Sequence, residues 1–138
     1  MKLLTKNTDY AIRALICLGS HPDEFLSAKA LADSQDIPYQ YLRKILQRLI
    51  HEGLVESKAG GQGGFCLKAD SKSVSVTDVI RIFQGELQLS ECLFRKKICA
   101  NRNHCVLRKN IQAIEESVTK KFSGMTIKSL IHQMETKA

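Results

Sequence analysis

A mainly α-helical chain with one small β-hairpin is the fold class this sequence predicts, on three observations. Leu42, Ile45, Leu46, Leu49 and Ile50 fall at i, i+3, i+4, i+7 and i+8, the period of one helix face. Two short runs, 54–58 and 65–68, flank the stretch Ala59-Gly60-Gly61-Gln62-Gly63-Gly64, which is hairpin chemistry. Leu107, Ile111, Ile114, Val118 and Phe122 are spaced 4, 3, 4 and 4 along a polar segment. So narrow a stripe on a long helix suits a partner helix, and predicts homodimerisation.

Each element follows in order. Tyr10, Ala11, Ala14, Leu15 and Leu18 give residues 8–18 a helical stripe, which Gly19 and Pro22 close. Ser27 caps a short helix over 28–35 that holds Leu31 inside. The turn Ser34-Gln35-Asp36-Ile37-Pro38 leads into the helix at 39–52, which Gly53 stops. Two helices joined by such a turn, the second long and basic, have the organisation of a helix-turn-helix. A hairpin directly behind it is the wing of a winged-helix domain. Ser75 and Asp78 form a capping-box pair for a helix through Val76, Val79, Ile80 and Phe83, ending at Gly85. The polar stretch 86–103 has no apolar period and reads as a loop. A long helix over 104–123 ends at Gly124, and Thr126 caps a last helix with Ile127, Leu130, Ile131 and Met134. The predicted division is a winged helix-turn-helix domain at 1–85, a cysteine-containing loop at 86–103, and a dimerisation helix with a short C-terminal helix at 104–138.

Composition narrows the function. The 138 residues suit one domain, and 43% apolar residues are ordinary for a globular protein. No apolar run is long enough to span a membrane and no signal-peptide pattern opens the chain, so the cytoplasm is expected. Thiols stay reduced there, and five cysteines, an odd number, argue for metal or redox chemistry over a disulfide scaffold. Lys and Arg outnumber Asp and Glu by 21 to 14, a formal charge of +7 that favours a polyanionic partner. A small thiol- or metal-dependent enzyme ranks last: there is no Ser-His-Asp set, no His-Glu-x-x-His and no Walker loop.

Two regions carry chemistry. On helix 39–52 the non-core side shows Tyr39, Gln40, Arg43, Lys44 and Arg48. Such a helix fits the major groove of double-stranded DNA. Gln40 and Arg43 have the donors and acceptors to read bases, while Lys44, Arg48 and the Tyr41 hydroxyl suit phosphates. In the wing, Gly60 and Gly61 let backbone amides approach phosphates, with Lys58 beside them. The second region is the loop with Cys92, Cys99 and Cys105, three thiols that can converge on a point. A closed zinc site wants four ligands, commonly from Cys-x-x-Cys knuckles, and none is present. An iron–sulfur cluster accepts a replacement fourth ligand, a weaker position open to attack, as a sensor requires. Three metal-free thiols acting by oxidation are the other reading. Cys17 and Cys66 sit among apolar residues and read as small core side chains.

The sequence resembles the Rrf family of bacterial winged-helix regulators, which includes the iron–sulfur cluster regulator and the nitric-oxide-sensitive repressor. The resemblance rests on Leu4-Thr5, Thr8-Asp9-Tyr10-Ala11, Ile37, Tyr41-Leu42, Leu49 and Gly53-Leu54-Val55. It continues through Gly63-Gly64-Phe65, Asp78-Val79-Ile80, the three cysteines, Thr126-Ile127 and Leu130. It implies a homodimer joined by the long C-terminal helices and reading a palindromic operator. It also implies a [2Fe-2S] or [4Fe-4S] cluster on Cys92, Cys99 and Cys105. The iron–sulfur cluster regulator draws its fourth ligand from a His three residues after the last cysteine, where this chain has Arg108. The Thr-Asp-Tyr run is similar to the nitric-oxide-sensitive branch and makes Asp9 the candidate from the other subunit, with His104 second. Ala59 stands where the family often has an Arg before the wing's first Gly.

Overall fold

In the computed structural model, residues 3–89 and 104–136 are described. Among them the order is α1 (Lys6–Gly19), α2 (Ala28–Gln35), α3 (Tyr39–His51), β1 (Val55–Lys58), β2 (Gly64–Leu67), α4 (Val76–Gln84), α5 (Val106–Ser123) and α6 (Ile127–Thr136). The mainly helical class with one antiparallel hairpin is the fold observed.

The predicted apolar stripes meet in one core. Ala11, Leu15 and Leu18 of α1 pack with Leu31 of α2, Leu42, Leu46 and Leu49 of α3, and Val79 of α4, all essentially without solvent exposure. Burying a side chain of this size contributes about 1.5–3 kcal/mol. Between α2 and α3 Asp36 takes a left-handed conformation, which short polar residues tolerate, and Ile37 turns back into the core. Gly53 has φ +80° and lets Leu54 N–H donate to the Leu49 carbonyl, ending α3.

The wing is braced by a contact that patterning did not reveal. β1 and β2 pair Val55 with Leu67 and Lys58 with Gly64. Leu26, just before α2, then bonds Phe65 in both directions at 2.9 and 2.7 Å, as a one-residue third strand. This fixes the hairpin to the helix-turn-helix. It also explains Gly64, whose backbone (φ +148°) runs so close to Leu26 that a Cβ would collide with the Leu26 carbonyl.

The C-terminal helices differ from each other. α6 returns to the winged-helix core: Ile127 is fully buried, and a Cβ on Gly19 would lie 2.8 Å from Ile131 Cδ1. Gly19 is thus the last residue of α1 and a site of helix–helix approach. The α5–α6 junction is pinned by Val76 N–H to the Met125 carbonyl and Ile127 N–H to the Val74 carbonyl. α5 packs against α4 yet has no buried residue.

Candidate nucleic-acid interface and cysteine site

The face of α3 turned from the core carries Tyr39, Gln40, Tyr41, Arg43, Lys44 and Arg48, all exposed. Core burial of Leu42, Ile45, Leu46 and Leu49 fixes the rotation of the helix, so these side chains point outward as a set. Gln47, one turn beyond Arg43 and Lys44, is exposed on the same side. Its spacing places it there, and with no charge it carries less of a signal in the sequence than its basic neighbours. The guanidinium of Arg43 lies 5.8 Å from the Tyr39 ring centroid, which restrains a long side chain at the start of the helix. Arg48 is 3.2 Å from Glu52, an exposed pair one turn apart. Lys58 lies over the Phe25 ring at 5.6 Å, at the end of β1 that enters the turn of the wing. Gly60 and Gly61 sit at the exposed tip with open space around them.

Of the three loop cysteines, Cys105 alone belongs to the described residues; Cys92 and Cys99 fall outside them. Cys105 is the N-cap of α5, half-buried, its Sγ accepting the Arg108 N–H at 3.4 Å. The thiol thus stands at the start of the helix, bonded to its first turn. Asp9 lies in the first turn of α1, more than half exposed, and pairs with Arg13 at 3.0 Å. Arg13 also donates to the Gln35 carbonyl at 2.9 Å and stacks on Tyr10. The candidate ligand is therefore joined through one guanidinium to the turn that precedes α3. Cys17 is half-buried against the core and Cys66 is buried in β2. Burial, with a smaller contribution from Glu56, pushes the Cys66 thiol up from its usual 9.0, so it stays protonated. The described residues contain no cluster of three or more metal-ligating side chains. Among the described residues no helix is long and apolar enough to cross a membrane.

A helix-turn-helix followed by a braced wing, with an outward basic recognition helix, defines a winged-helix DNA-binding protein. Residues 4–133 match the Rrf2 family, described as iron-dependent transcriptional regulators, and the chain belongs to that family. It is 32% identical over 130 residues to the transcriptional repressor NsrR of Streptomyces coelicolor, covering 93% of this chain and 87% of the relative. The fold matches T. potens IscR with a TM-score of 0.80 at 22% identity, over 99% of this chain and 90% of that one. It matches CymR, the global cysteine regulator of B. subtilis, with a TM-score of 0.82 at 22% identity, over 96% and 98% of the two chains. The chain is a DNA-binding transcriptional regulator, and its relatives are regulators, not enzymes.

Proposed function

We propose that this regulator binds a palindromic operator as a homodimer, its hold on DNA gated by an iron–sulfur cluster on Cys92, Cys99 and Cys105. The observation that carries the reading is the placement of Cys105 as N-cap of α5. A ligand there is part of the helix whose exposed Leu107 and Ile114 form the candidate dimer face. A change at the thiolate is thus felt at the first turn of that helix. Cys105 fits a cluster ligand by its chemistry and by the Arg108 N–H that orients its sulfur, the kind of outer bond that positions a metal ligand. When bound, the cluster would supply a centre responsive to oxidants, nitric oxide or iron–sulfur status.

This chain's own residues supply the rest. Asp9 would serve the partner subunit as fourth ligand, sharing or giving up its bond to Arg13. Arg13, which also holds the Gln35 carbonyl, would carry such a change to the turn before α3. Gln40 and Arg43 read bases, Gln47 joins them, and Lys44, Arg48, Lys58 and the amides of Gly60 and Gly61 hold phosphates. Repression follows when the dimer occupies a promoter; the Streptomyces relative is named a transcriptional repressor. A cluster-free regulator worked by thiol oxidation, zinc or a partner protein is the second reading. It is favoured by the Asp9–Arg13 pair, which occupies the fourth-ligand candidate.

Purification without air decides between them. The cluster reading expects a brown protein with iron and sulfide, and operator affinity that changes when the metal is stripped. A colourless protein whose affinity is insensitive to chelation and responds to thiol oxidation would establish the second reading.

A further inference from the structure

The N-terminus of α1 is capped by a residue from elsewhere in the chain. A capping box has two halves: the N-cap side chain takes the N–H three residues on, and that residue's side chain takes the N-cap's own N–H. In α4 both halves are local, Ser75 and Asp78 bonding each other's backbone at 2.9 and 3.2 Å. In α6 they are local again, Thr126 with Ser129 at 3.0 Å both ways. In α1 the first half is local, Thr5 Oγ1 accepting Thr8 N–H at 3.3 Å. The Thr8 hydroxyl, however, faces the Thr5 hydroxyl at 3.0 Å. The Thr5 N–H goes instead to Gln84 Oε1 at 2.9 Å, 79 residues away, while Gln84 Nε2 donates to the Leu3 carbonyl at 3.2 Å. Only one orientation of the amide satisfies both partners, so the clamp is directional.

Gln84 is the last residue of α4, and the chain that carries the cysteines leaves from it. Gly85 follows at φ +78°, a conformation glycine adopts freely. Arg81 and Glu86 close across it at 3.6 Å, and Leu89 N–H is held by Glu115 of α5 at 2.9 Å. Residues 86–89 are therefore tied both to α4, one turn before Gln84, and to α5. The turn of α1 that Gln84 caps is the one holding Asp9, and Arg13 follows one turn later.

We propose that Gln84 is the positioning residue that transmits the state of the cysteine segment to α1. It closes the capping box of α1 from α4 while the Arg81–Glu86 and Glu115–Leu89 contacts hold residues 86–89, and opens it when those contacts part. From α1 the displacement reaches the turn before α3 through Arg13 and the Gln35 carbonyl. This rests on the gating reading above and adds to it the path by which gating reaches the recognition helix.

The test uses the full chain, metal-loaded and chelator-stripped, as wild type, Gln84→Met (similar length, neither bond) and Gln84→Glu (acceptor kept, donor lost). Amide exchange is followed at Thr5 through Asp9, beside affinity for a duplex from the gene's own upstream region. In wild type, stripping speeds exchange at Thr5 about fivefold, the scale of a lost cap. Gln84→Met exchanges fast in both states and loses most of the loaded-to-stripped affinity difference; Gln84→Glu falls between, and decides if the Met variant does not fold. A variant that keeps wild-type protection at Thr5, or the wild-type affinity ratio within about twofold, overturns the proposal. A wild type whose affinity ignores stripping overturns the gating reading, and this path with it.

Discussion

α3 and α5 are both long amphipathic helices with basic residues, and they spend their apolar faces differently. α3 buries Leu42, Ile45, Leu46 and Leu49 in its own chain's core, leaving only polar and aromatic groups outside. α5 buries nothing, and Val106, Leu107 and Ile114 lie more than half exposed. One stripe is consumed by the fold and the other is left over. A helix that packs Phe122 against the core yet leaves Leu107 and Ile114 exposed among the described residues is the natural candidate for contact with a second copy, whereas α3 is free to present its polar side to DNA. Mutations should separate the two roles.

The largest effect belongs to the core side of α3. Leu46→Ala leaves a cavity among fully buried neighbours and should lower unfolding free energy by about 2–5 kcal/mol, read by denaturant titration. DNA binding should fall only as far as folding does. On α5, Ile114→Asp puts a charge into the candidate dimer face while leaving the winged-helix core untouched. We expect sedimentation to report monomers, with unchanged far-ultraviolet dichroism and operator affinity weaker by about 10²-fold or more, since linked half-sites are lost. A dimer that survives this change would remove α5 from the interface.

Much of this division could be read from residue order. The 3.6 period of α3, the cap at Ser27, the box at Ser75 and the glycine stop at Gly53 are local devices, and the structure keeps them. What stayed hidden is long-range. Leu26 pairing with Phe65 is a single-residue bridge with no strand period. The burial of Ile127 and the approach of Ile131 to Gly19 require α6 to return to α1, which a narrow C-terminal stripe does not announce. Gln84 bonding Thr5 leaves no pattern at all, since a glutamine at a helix end is ordinary. At the site, the outward set on α3 was legible because core positions fix helix rotation. The pairings of Asp9 with Arg13 and Arg48 with Glu52 follow i,i+4 spacing and could have been found by charge pairing.

The smallest predicted effect lies within α3 and compares two of its cations. Lys44 and Arg48 are both exposed, but Arg48 is tied to Glu52 at 3.2 Å in the free protein. Such a pair at i,i+4 contributes only about 0.3–0.5 kcal/mol, so DNA can break it, yet the carboxylate stays close and offsets part of the attraction to phosphate. Lys44→Ala should therefore lower the slope of log affinity against log salt by about 1, the full value for one phosphate contact. Arg48→Ala should lower it by less. Glu52→Gln should do the reverse, tightening binding at low salt by removing the competing charge while leaving the fold intact. Anisotropy titrations of the four proteins across a salt series give the ranking. If Arg48→Ala lowers the slope as much as Lys44→Ala and Glu52→Gln leaves it unchanged, Glu52 releases Arg48 completely on DNA and the two cations are equivalent in the complex.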